Sequence, residues 1–322
     1  MNDNNHILGN RRVVIVFQLL LLLVILSGLF GTFLLDKRQS ANVTEAVPLN
    51  EAPLSELNKE TLAELSEVEV RAKAAYVFDV TRKEALYSKN EESVLPLASI
   101  TKLMTSLLAY ELAAVDTTTE LSSRAARQEG SNLVAGEKFT LDELNRLALV
   151  SSSNSAAYEL SASVGSLLGD RDPTAQFVEG MNIKAAELKL ESLAFKNPTG
   201  LDISPTEPGA VGSAKDVSLL MDYILKEHPE LLEATTRGGA RIYNSQGEYH
   251  DVENTNEILY AVPNLIGSKT GYTDLAGGNL TIAFDAGMNR TVIITVLGST
   301  REERFSDVLR LVRATQSHIS DL

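Results

Sequence analysis

A run of 23 residues from Val13 to Leu35 holds no charged side chain and only one strongly polar one, Gln18. At about 1.5 Å per residue, a helix of this length crosses a hydrocarbon core of about 30 Å with some tilt. A cleavable signal peptide would carry a shorter apolar region, about 7–15 residues, followed closely by a small-x-small site. Leu34-Leu35-Asp36-Lys37-Arg38 supplies no such site, and Thr44-Glu45-Ala46 lies well past the run. The segment 13–35 is therefore expected to be an uncleaved transmembrane anchor, preceded by a short N-terminal stretch, 1–12. Arg11 and Arg12 before it nearly balance Lys37 and Arg38 after it, so charge sets its orientation only weakly.

Residues 36 to about 70 carry eight acidic and three basic side chains with Pro48 and Pro53, the composition of a solvated stalk with a helical stretch across Leu54–Glu67. As a flexible coil such a segment spans on the order of 30 Å. The expected division is therefore anchor 13–35, acidic stalk or linker 36–73, and one folded domain, 74–322.

Within 74–322 the local patterns are mixed. Tyr76–Val80 and Glu84–Tyr87 are short β-rich runs around Thr81-Arg82-Lys83, which predicts a hairpin. Ile100, Leu103, Met104, Leu107 and Leu108 recur at helical spacing, and Thr140-Leu-Asp-Glu143 is a capping-box pattern opening a helix over Leu141–Val150. Ser213-Ala-Lys-Asp216 opens another, to about Lys226. Near the end, Asn279–Asp285 and Thr291–Gly298 flank the turn 286–290, and a last helix puts Phe305, Val308, Leu309 and Val312 on one face. Strands at both ends with helices between them predict an α+β fold, its antiparallel sheet built from distant parts of the chain and packed against helices.

The residue inventory removes several chemistries. A formal charge of −14 argues against a nucleic-acid partner, because neutralising phosphates needs a basic face. With no cysteine there is no disulfide, thiolate zinc site or cysteine nucleophile. The four histidines, His6, His228, His250 and His318, form no metal-binding spacing and read as surface residues, His228 at a helix end. No metal or other cofactor is expected, and a general base must be sought first among lysines and carboxylates.

Three short motifs remain. Ser99-Ile-Thr-Lys102 is the one S-x-x-K in the chain, and an offset of three on a helix puts hydroxyl and amine on one face. Serine is a weak nucleophile until a neighbour takes its proton, and lysine can do so once burial and a second cation lower its pKa. Ser152-Ser153-Asn154 follows the Leu141–Val150 helix and by itself reads as a polar inter-helix turn; Ser40-Ala41-Asn42 matches the same S-x-N pattern. Lys269-Thr270-Gly271 begins a strand, where a cation and a hydroxyl can grip a carboxylate and glycine permits close backbone approach. It is no phosphate loop, since G-x-x-x-x-G-K-[ST] is absent. The order S-x-x-K, S-x-N, K-T-G, with separations of 53 residues (Ser99 to Ser152) and 115 (Asn154 to Lys269), is the signature of penicillin-binding proteins and class A β-lactamases.

On these residues the sequence resembles the low-molecular-mass penicillin-binding proteins, the D-alanyl-D-alanine carboxypeptidase family of serine peptidases. Leu97–Met104, Phe195–Leu201, Asn254-Thr-Asn256, Gly267–Thr273 with Ala276-Gly277, and Val296–Gly298 extend the resemblance over about residues 74–320. It implies a β-lactamase/transpeptidase-like α+β fold, with the site between sheet and helical subdomain. It also implies trimming of the terminal D-alanine from peptidoglycan stem peptides: Ser99 as nucleophile, Lys102 as base, Ser152 as proton relay to the leaving amine. Asn154 would hold Lys102 and the substrate amide, Lys269 and Thr270 the terminal carboxylate, with Gly271 beside them. The amides of Ser99 and Tyr272 would form the oxyanion hole. The implied partners are stem peptides ending in D-Ala-D-Ala, β-lactams as covalent inhibitors, and the bilayer through the N-terminal helix. Such a substrate puts residues 1–12 in the cytoplasm and the domain outside, in the periplasm or at the cell surface. An endopeptidase cutting peptidoglycan crosslinks would use the same residues. A β-lactamase would need a deacylating glutamate in E-x-x-L-N, and neither Glu187 nor Glu191 begins that pattern. Ser155 stands where many relatives have aspartate, and Tyr272 is at a variable position.

Overall fold

A computed structural model describes residues 64–287 and 289–321. The expected anchor 13–35 and most of the stalk lie outside the described residues, among which no helix is long and apolar enough to cross a membrane.

The main sheet is antiparallel and joins the two ends of the domain. Its strands are β1 (Ala74–Asp79) and β2 (Glu84–Lys89) from the start, with β10 (Leu265–Thr273), β11 (Gly277–Asp285) and β12 (Thr291–Ser299) from the end, in the order β10-β11-β12-β1-β2. The predicted hairpin turn is held by Asp79, whose Oδ1 accepts the amides of Thr81 (2.8 Å) and Arg82 (3.0 Å), while Oδ2 accepts Arg290 Nε at 2.9 Å. Burial alone would raise the Asp79 pKa; the Arg82 amide and the Arg290 guanidinium outweigh it and hold the carboxyl below its usual range.

Side chains alternate across the strands, and both faces are covered. Val77, Ile282, Phe284, Val292, Ile294 and Val296 pack with Phe305, Val308, Leu311 and Val312 of the C-terminal helix, Glu303–Ser320. Tyr76, Phe78, Ala283, Ile293 and Leu297 face the opposite way, toward the helices inserted between β2 and β10. A strand buried on both faces reads as a continuous apolar run, as β12 does. The inserted part contains β3 (Leu95–Pro96) and α1 (Lys102–Leu112), then β4 (Thr118–Glu120), α2 (Ser123–Ala126) and β5 (Lys138–Thr140). Next come α3 (Leu141–Val150), α4 (Asn154–Gly165), α5 (Pro173–Glu187), β6 (Ala194–Phe195) and β7 (Ala210–Gly212). Helices α6 (Ala214–Glu227) and α7 (Glu230–Glu233) and the hairpin β8 (Gly239–Tyr243) and β9 (Tyr249–Glu253) complete it; the C-terminal helix is α8. The expected capping box is present: Thr140 Oγ1 accepts the Glu143 amide and Glu143 Oε2 accepts the Thr140 amide. Ser213 caps α6 through the Asp216 amide at 3.1 Å.

Three expectations need adjustment. The packed fold begins before residue 74, since Leu65, Val70 and Ala72 are buried in the core beneath α8. On α8 the fourth core position is Leu311, with Leu309 only partly buried. His228 and His250 are half-buried and not surface residues: His228 packs on Tyr110 and lies 3.4 Å from Glu111, and His250 lies 2.7 Å from Glu137.

Asp307 ties residues 71–72 to the fold. This fully buried carboxylate of α8 accepts the amides of Arg71 (2.8 Å) and Ala72 (2.9 Å), Ser299 Oγ (2.7 Å) and Arg310 Nη2 (2.6 Å). Asp307→Ala orphans those donors and is expected to cost about 3 kcal/mol, given about 1–3 kcal/mol per buried group left unpaired. Denaturant unfolding measures it, and a loss below about 0.5 kcal/mol, the scatter of neutral surface changes, would contradict the role assigned to Asp307.

Candidate active site

The site is built on a turn that glycines allow to be tight. After β3, Ala98 adopts φ 49°, a left-handed conformation that strains a residue with a Cβ. A 3₁₀ turn, Ala98–Thr101, follows and runs directly into α1. The turn is clamped on three sides. Thr101 Oγ1 donates to Ala98 O at 2.7 Å, and Asn279 Nδ2 of β11 donates to Pro96 O and Leu97 O at 2.9 and 3.0 Å. Gly200 comes so close that a Cβ there would lie 1.9 Å from Ala98 O. On the sheet side, a Cβ on Gly271 would lie 2.8 Å from Leu97 O and 3.2 Å from the amide nitrogen of Ser99. Glycine in K-T-G thus lets β10 press against the turn that carries Ser99.

Ser99, Lys102 and Asn154 form one hydrogen-bonded cluster. Lys102, fully buried at the start of α1, has its Nζ 2.8 Å from Ser99 Oγ, 2.8 Å from Asn154 Oδ1 and 2.9 Å from Thr199 O. Thr199 is presented by a turn folded around Asn197, whose Oδ1 accepts the amides of Thr199 and Gly200. Asn154 opens α4 behind the N-cap Ser153 and donates its Nδ2 to Glu129 O at 2.9 Å.

Ser152, Lys269 and Thr270 form a second cluster. Ser152, in the α3–α4 corner, has φ 59°, and its Oγ accepts Lys269 Nζ at 2.9 Å. Lys269 is buried in β10 and also donates to Thr270 O at 2.9 Å. Thr270 Oγ1 lies 2.6 Å from Thr255 Oγ1. Behind the strand, buried Arg304 of α8 donates Nη1 to Gly271 O at 2.8 Å. Tyr272 is partly exposed, its ring 5.2 Å below the Arg301 guanidinium.

The electrostatics suit proton transfer. Burial, followed by the charge of Lys269, holds Lys102 well below the ordinary lysine range, which favours the neutral amine that could take a proton from Ser99. Burial and the Arg304 guanidinium lower Lys269 to about 7, and a bound carboxylate would raise it again. A poised amine beside a serine hydroxyl, with a second cation nearby, can activate the serine and receive an anionic group. Among the described residues no group of three or more His, Asp or Glu side chains could hold a metal ion.

The structure thus gathers Ser99, Lys102, Ser152, Asn154, Lys269, Thr270 and Gly271, with the Tyr272 backbone next in the strand. Arg304, Thr255, Asn279 and the carbonyls of Thr199 and Glu129 complete the surroundings. Of these, the sequence resemblance had touched Thr255, through Asn254-Thr-Asn256, and Thr199, through Phe195–Leu201. It gave no sign of Arg304, whose place depends on how α8 crosses β10.

Residues 60–301 match the family model for D-alanyl-D-alanine carboxypeptidase. The D-alanyl-D-alanine carboxypeptidase DacF of Bacillus subtilis is 31% identical over 254 residues, 77% of this chain and 62% of its own length. A D-alanyl-D-alanine endopeptidase of Pseudomonas aeruginosa is 27% identical, over 76% of this chain and 77% of that protein. A Listeria monocytogenes penicillin-binding protein in its ampicillin-bound form superposes with a TM-score of 0.64 at 30% identity, covering 77% of this chain and 98% of that one. A D-alanyl-D-alanine carboxypeptidase from Mycobacterium tuberculosis, at 24% identity and a TM-score of 0.69, covers 79% of this chain and 94% of its own and shares the fold. The chain spans about three fifths of the length of DacF. The family match takes in every motif residue from Ser99 to Tyr272, and the chain belongs to the D-alanyl-D-alanine carboxypeptidase family.

Proposed function

We propose that the protein is a serine-type D-Ala-D-Ala carboxypeptidase that trims the terminal D-alanine from peptidoglycan stem peptides. The observation that carries this reading is the 2.8 Å contact between Ser99 Oγ and the buried, deprotonation-prone amine of Lys102. Ser99 Oγ attacks the carbonyl between the last two D-alanines as its proton passes to Lys102. The amides of Ser99 and Tyr272 receive the oxyanion. Ser152 relays a proton to the leaving amine, Asn154 orients Lys102 and the substrate amide, and Lys269 with Thr270 holds the terminal carboxylate beside Gly271. D-Alanine leaves, and water releases the acyl-enzyme with Lys102 again at hand to accept a proton. A β-lactam offers a strained amide and a carboxylate to the same groups, so a stable adduct on Ser99 belongs to the same proposal.

A second reading, cleavage of crosslinks by a D,D-endopeptidase, has one observation in its favour. Two D-alanyl-D-alanine endopeptidases, of Pseudomonas aeruginosa and Escherichia coli, are 27% and 26% identical to the chain, which covers 77% and 83% of their lengths. Incubating the protein with a pentapeptide ending in D-Ala-D-Ala and with crosslinked peptidoglycan separates the two. Free D-alanine is expected from the pentapeptide; separated stems without free D-alanine would favour the endopeptidase, and neither product would sink both.

The proposal extends to placement. The uncharged run 13–35 supports a single-pass anchor with residues 1–12 in the cytoplasm, the stalk and domain lying outside the membrane where peptidoglycan is found. In intact spheroplasts an added protease should digest the domain, and complete protection until lysis would refute this orientation.

The two lysines are expected to differ in kind. Lys102→Arg keeps a cation but removes the base, because guanidinium stays protonated, so acylation by a chromogenic β-lactam should fall by about 10²–10⁴-fold. Lys269→Arg retains a cation able to meet a carboxylate and should lose less, mainly in KM. Equal acylation rates for the two variants would remove Lys102 from the role of base.

A further inference from the structure

Glu137 is a buried carboxylate outside the clusters described above, in the segment between α2 and β5. Its Oε2 accepts the Val134 amide at 2.6 Å, and its Oε1 lies 2.7 Å from His250 Nε2 and 3.3 Å from Asn244 Nδ2. His250 is on β9 and Asn244 in the β8–β9 turn. Ser245 N to Lys138 O (2.7 Å) and Lys138 N to Gln246 Oε1 (2.9 Å) reinforce the junction, and the His250 ring packs on Phe139 with centroids 5.9 Å apart. Glu137 therefore joins two segments that are more than a hundred residues apart in the chain.

Each of those segments reaches one cluster of the site. The 129–137 segment supplies the Glu129 carbonyl to Asn154 Nδ2; with the amide nitrogen engaged there, Oδ1 is left facing Lys102. Strand β9 runs on from His250 into Asn254 and Thr255. Asn254 Nδ2 is fixed on Thr235 O and Arg237 O, the Thr255 amide donates to Val150 O at 3.2 Å, and Thr255 Oγ1 meets Thr270 Oγ1. One end of the connection touches Asn154 and the other touches Thr270.

We infer that Glu137 and His250 are a positioning pair for the reaction: by clamping the 129–137 segment to the β8–β9 hairpin they hold Asn154 and Thr270 in register on the two sides of Ser99. The inference rests on the stem-peptide reading above. A flexible peptide must meet Asn154 with its amide and Thr270 with its carboxylate at once, so loosening one against the other raises the fraction of misplaced complexes. A bicyclic β-lactam carries amide and carboxylate at a fixed separation and depends less on the clamp.

The experiment uses the purified full chain. His250→Ala is expected to raise KM for the D-Ala-D-Ala pentapeptide about tenfold, a small part of what a displacement of about 1 Å can cause. Lys102 keeps Ser99 Oγ and Thr199 O as partners whatever the clamp does, so the kcat and the rate constant of acylation by benzylpenicillin should change by no more than about twofold. His250→Gln, whose amide nitrogen can reach Glu137 as a donor, should recover most of the lost KM, and adding His250→Ala to Glu137→Ala should cause no further loss. Hydrogen exchange gives a readout independent of turnover: the amides of Val134 and Thr255 should both exchange faster in His250→Ala. An unchanged KM, parallel losses with peptide and penicillin, or failure of His250→Gln to recover would overturn the inference. If the wild type releases no D-alanine, the stem-peptide reading has failed separately. The exchange arm then decides the clamp: joint loosening at Val134 and Thr255 supports it, and loosening confined to Val134 overturns it.

Discussion

The amine of Lys102 is the point on which the surrounding structure converges. Its three neighbours are two oxygens that only accept, Asn154 Oδ1 and Thr199 O, and one hydroxyl that can donate, Ser99 Oγ. The amine can donate to Asn154 Oδ1 and Thr199 O and, once neutral, turn its lone pair to the Ser99 hydroxyl. Each neighbour arrives on a different part of the fold: Ser99 from the 3₁₀ turn before α1, Asn154 from the start of α4, Thr199 from the turn around Asn197. Burying lysine on helix α1, itself enclosed by α3, α4 and α5, disfavours the ammonium more strongly than any single partner favours it. Local strain marks the same place. Ala98 and Ser152 both hold left-handed backbone conformations, at about 1–3 kcal/mol each; Thr101 Oγ1 holds Ala98 O from within its turn and Lys269 holds Ser152 Oγ from β10.

A contrast of charge follows. The chain is acidic overall, yet Lys102, Lys269 and Arg304 are all buried and all their hydrogen bonds run to neutral oxygens. Buried cations are ordinarily paired. Here Lys269 lowers Lys102 and Arg304 lowers Lys269, so each cation makes the next easier to deprotonate. Lys269, whose hydrogen bonds run to Ser152 Oγ and Thr270 O, is left able to receive an anion brought by a ligand. The proposed carboxylate-bearing substrate would restore the charge of Lys269 as it docks, so binding and protonation reinforce each other.

Much of this was legible where the cause is local. The Thr81–Lys83 turn, the Thr140–Glu143 capping box and the Ser213 cap depend on residues within four positions, while β11 and β12 are legible as short, largely apolar runs flanking a turn and α8 by its helical spacing. The three motifs were legible through their order and separation, although each alone fits an ordinary turn, cap or strand. What escaped was set by contacts distant in sequence. Residues 65–72 look like acidic stalk because their few apolar side chains are spaced among glutamates, and the Asp307 carboxylate that receives their backbone lies 235 residues away from Ala72. Leu311 and Leu309 differ in burial because of how α8 rolls on the sheet. Arg304 reads as one of several surface arginines on α8 until that crossing is known. His250 and Glu137 carry no pattern, since they meet 113 residues apart.

The same division explains why the site lies at the junction of sheet and helices. The helical part supplies Lys102, kept dry on a helix enclosed by its neighbours. The sheet supplies what needs a straight, rigid edge: β10 ends the sheet order and brings Lys269, Thr270 and Gly271 along one line. The two parts are brought together by backbone rather than by long side chains. Gly271 of β10 and Gly200 of the 197–201 turn both approach the Ser99 turn to distances that leave no space for a Cβ, and Asn279 spans from Leu97 to the Gly298 amide. Contacts of that kind have little slack, because backbone cannot change rotamer to relieve a displacement. The distance from Ser99 to K-T-G is thus set by the packing of sheet on helices, and the fold itself fixes the spacing that a dipeptide of defined length would have to match.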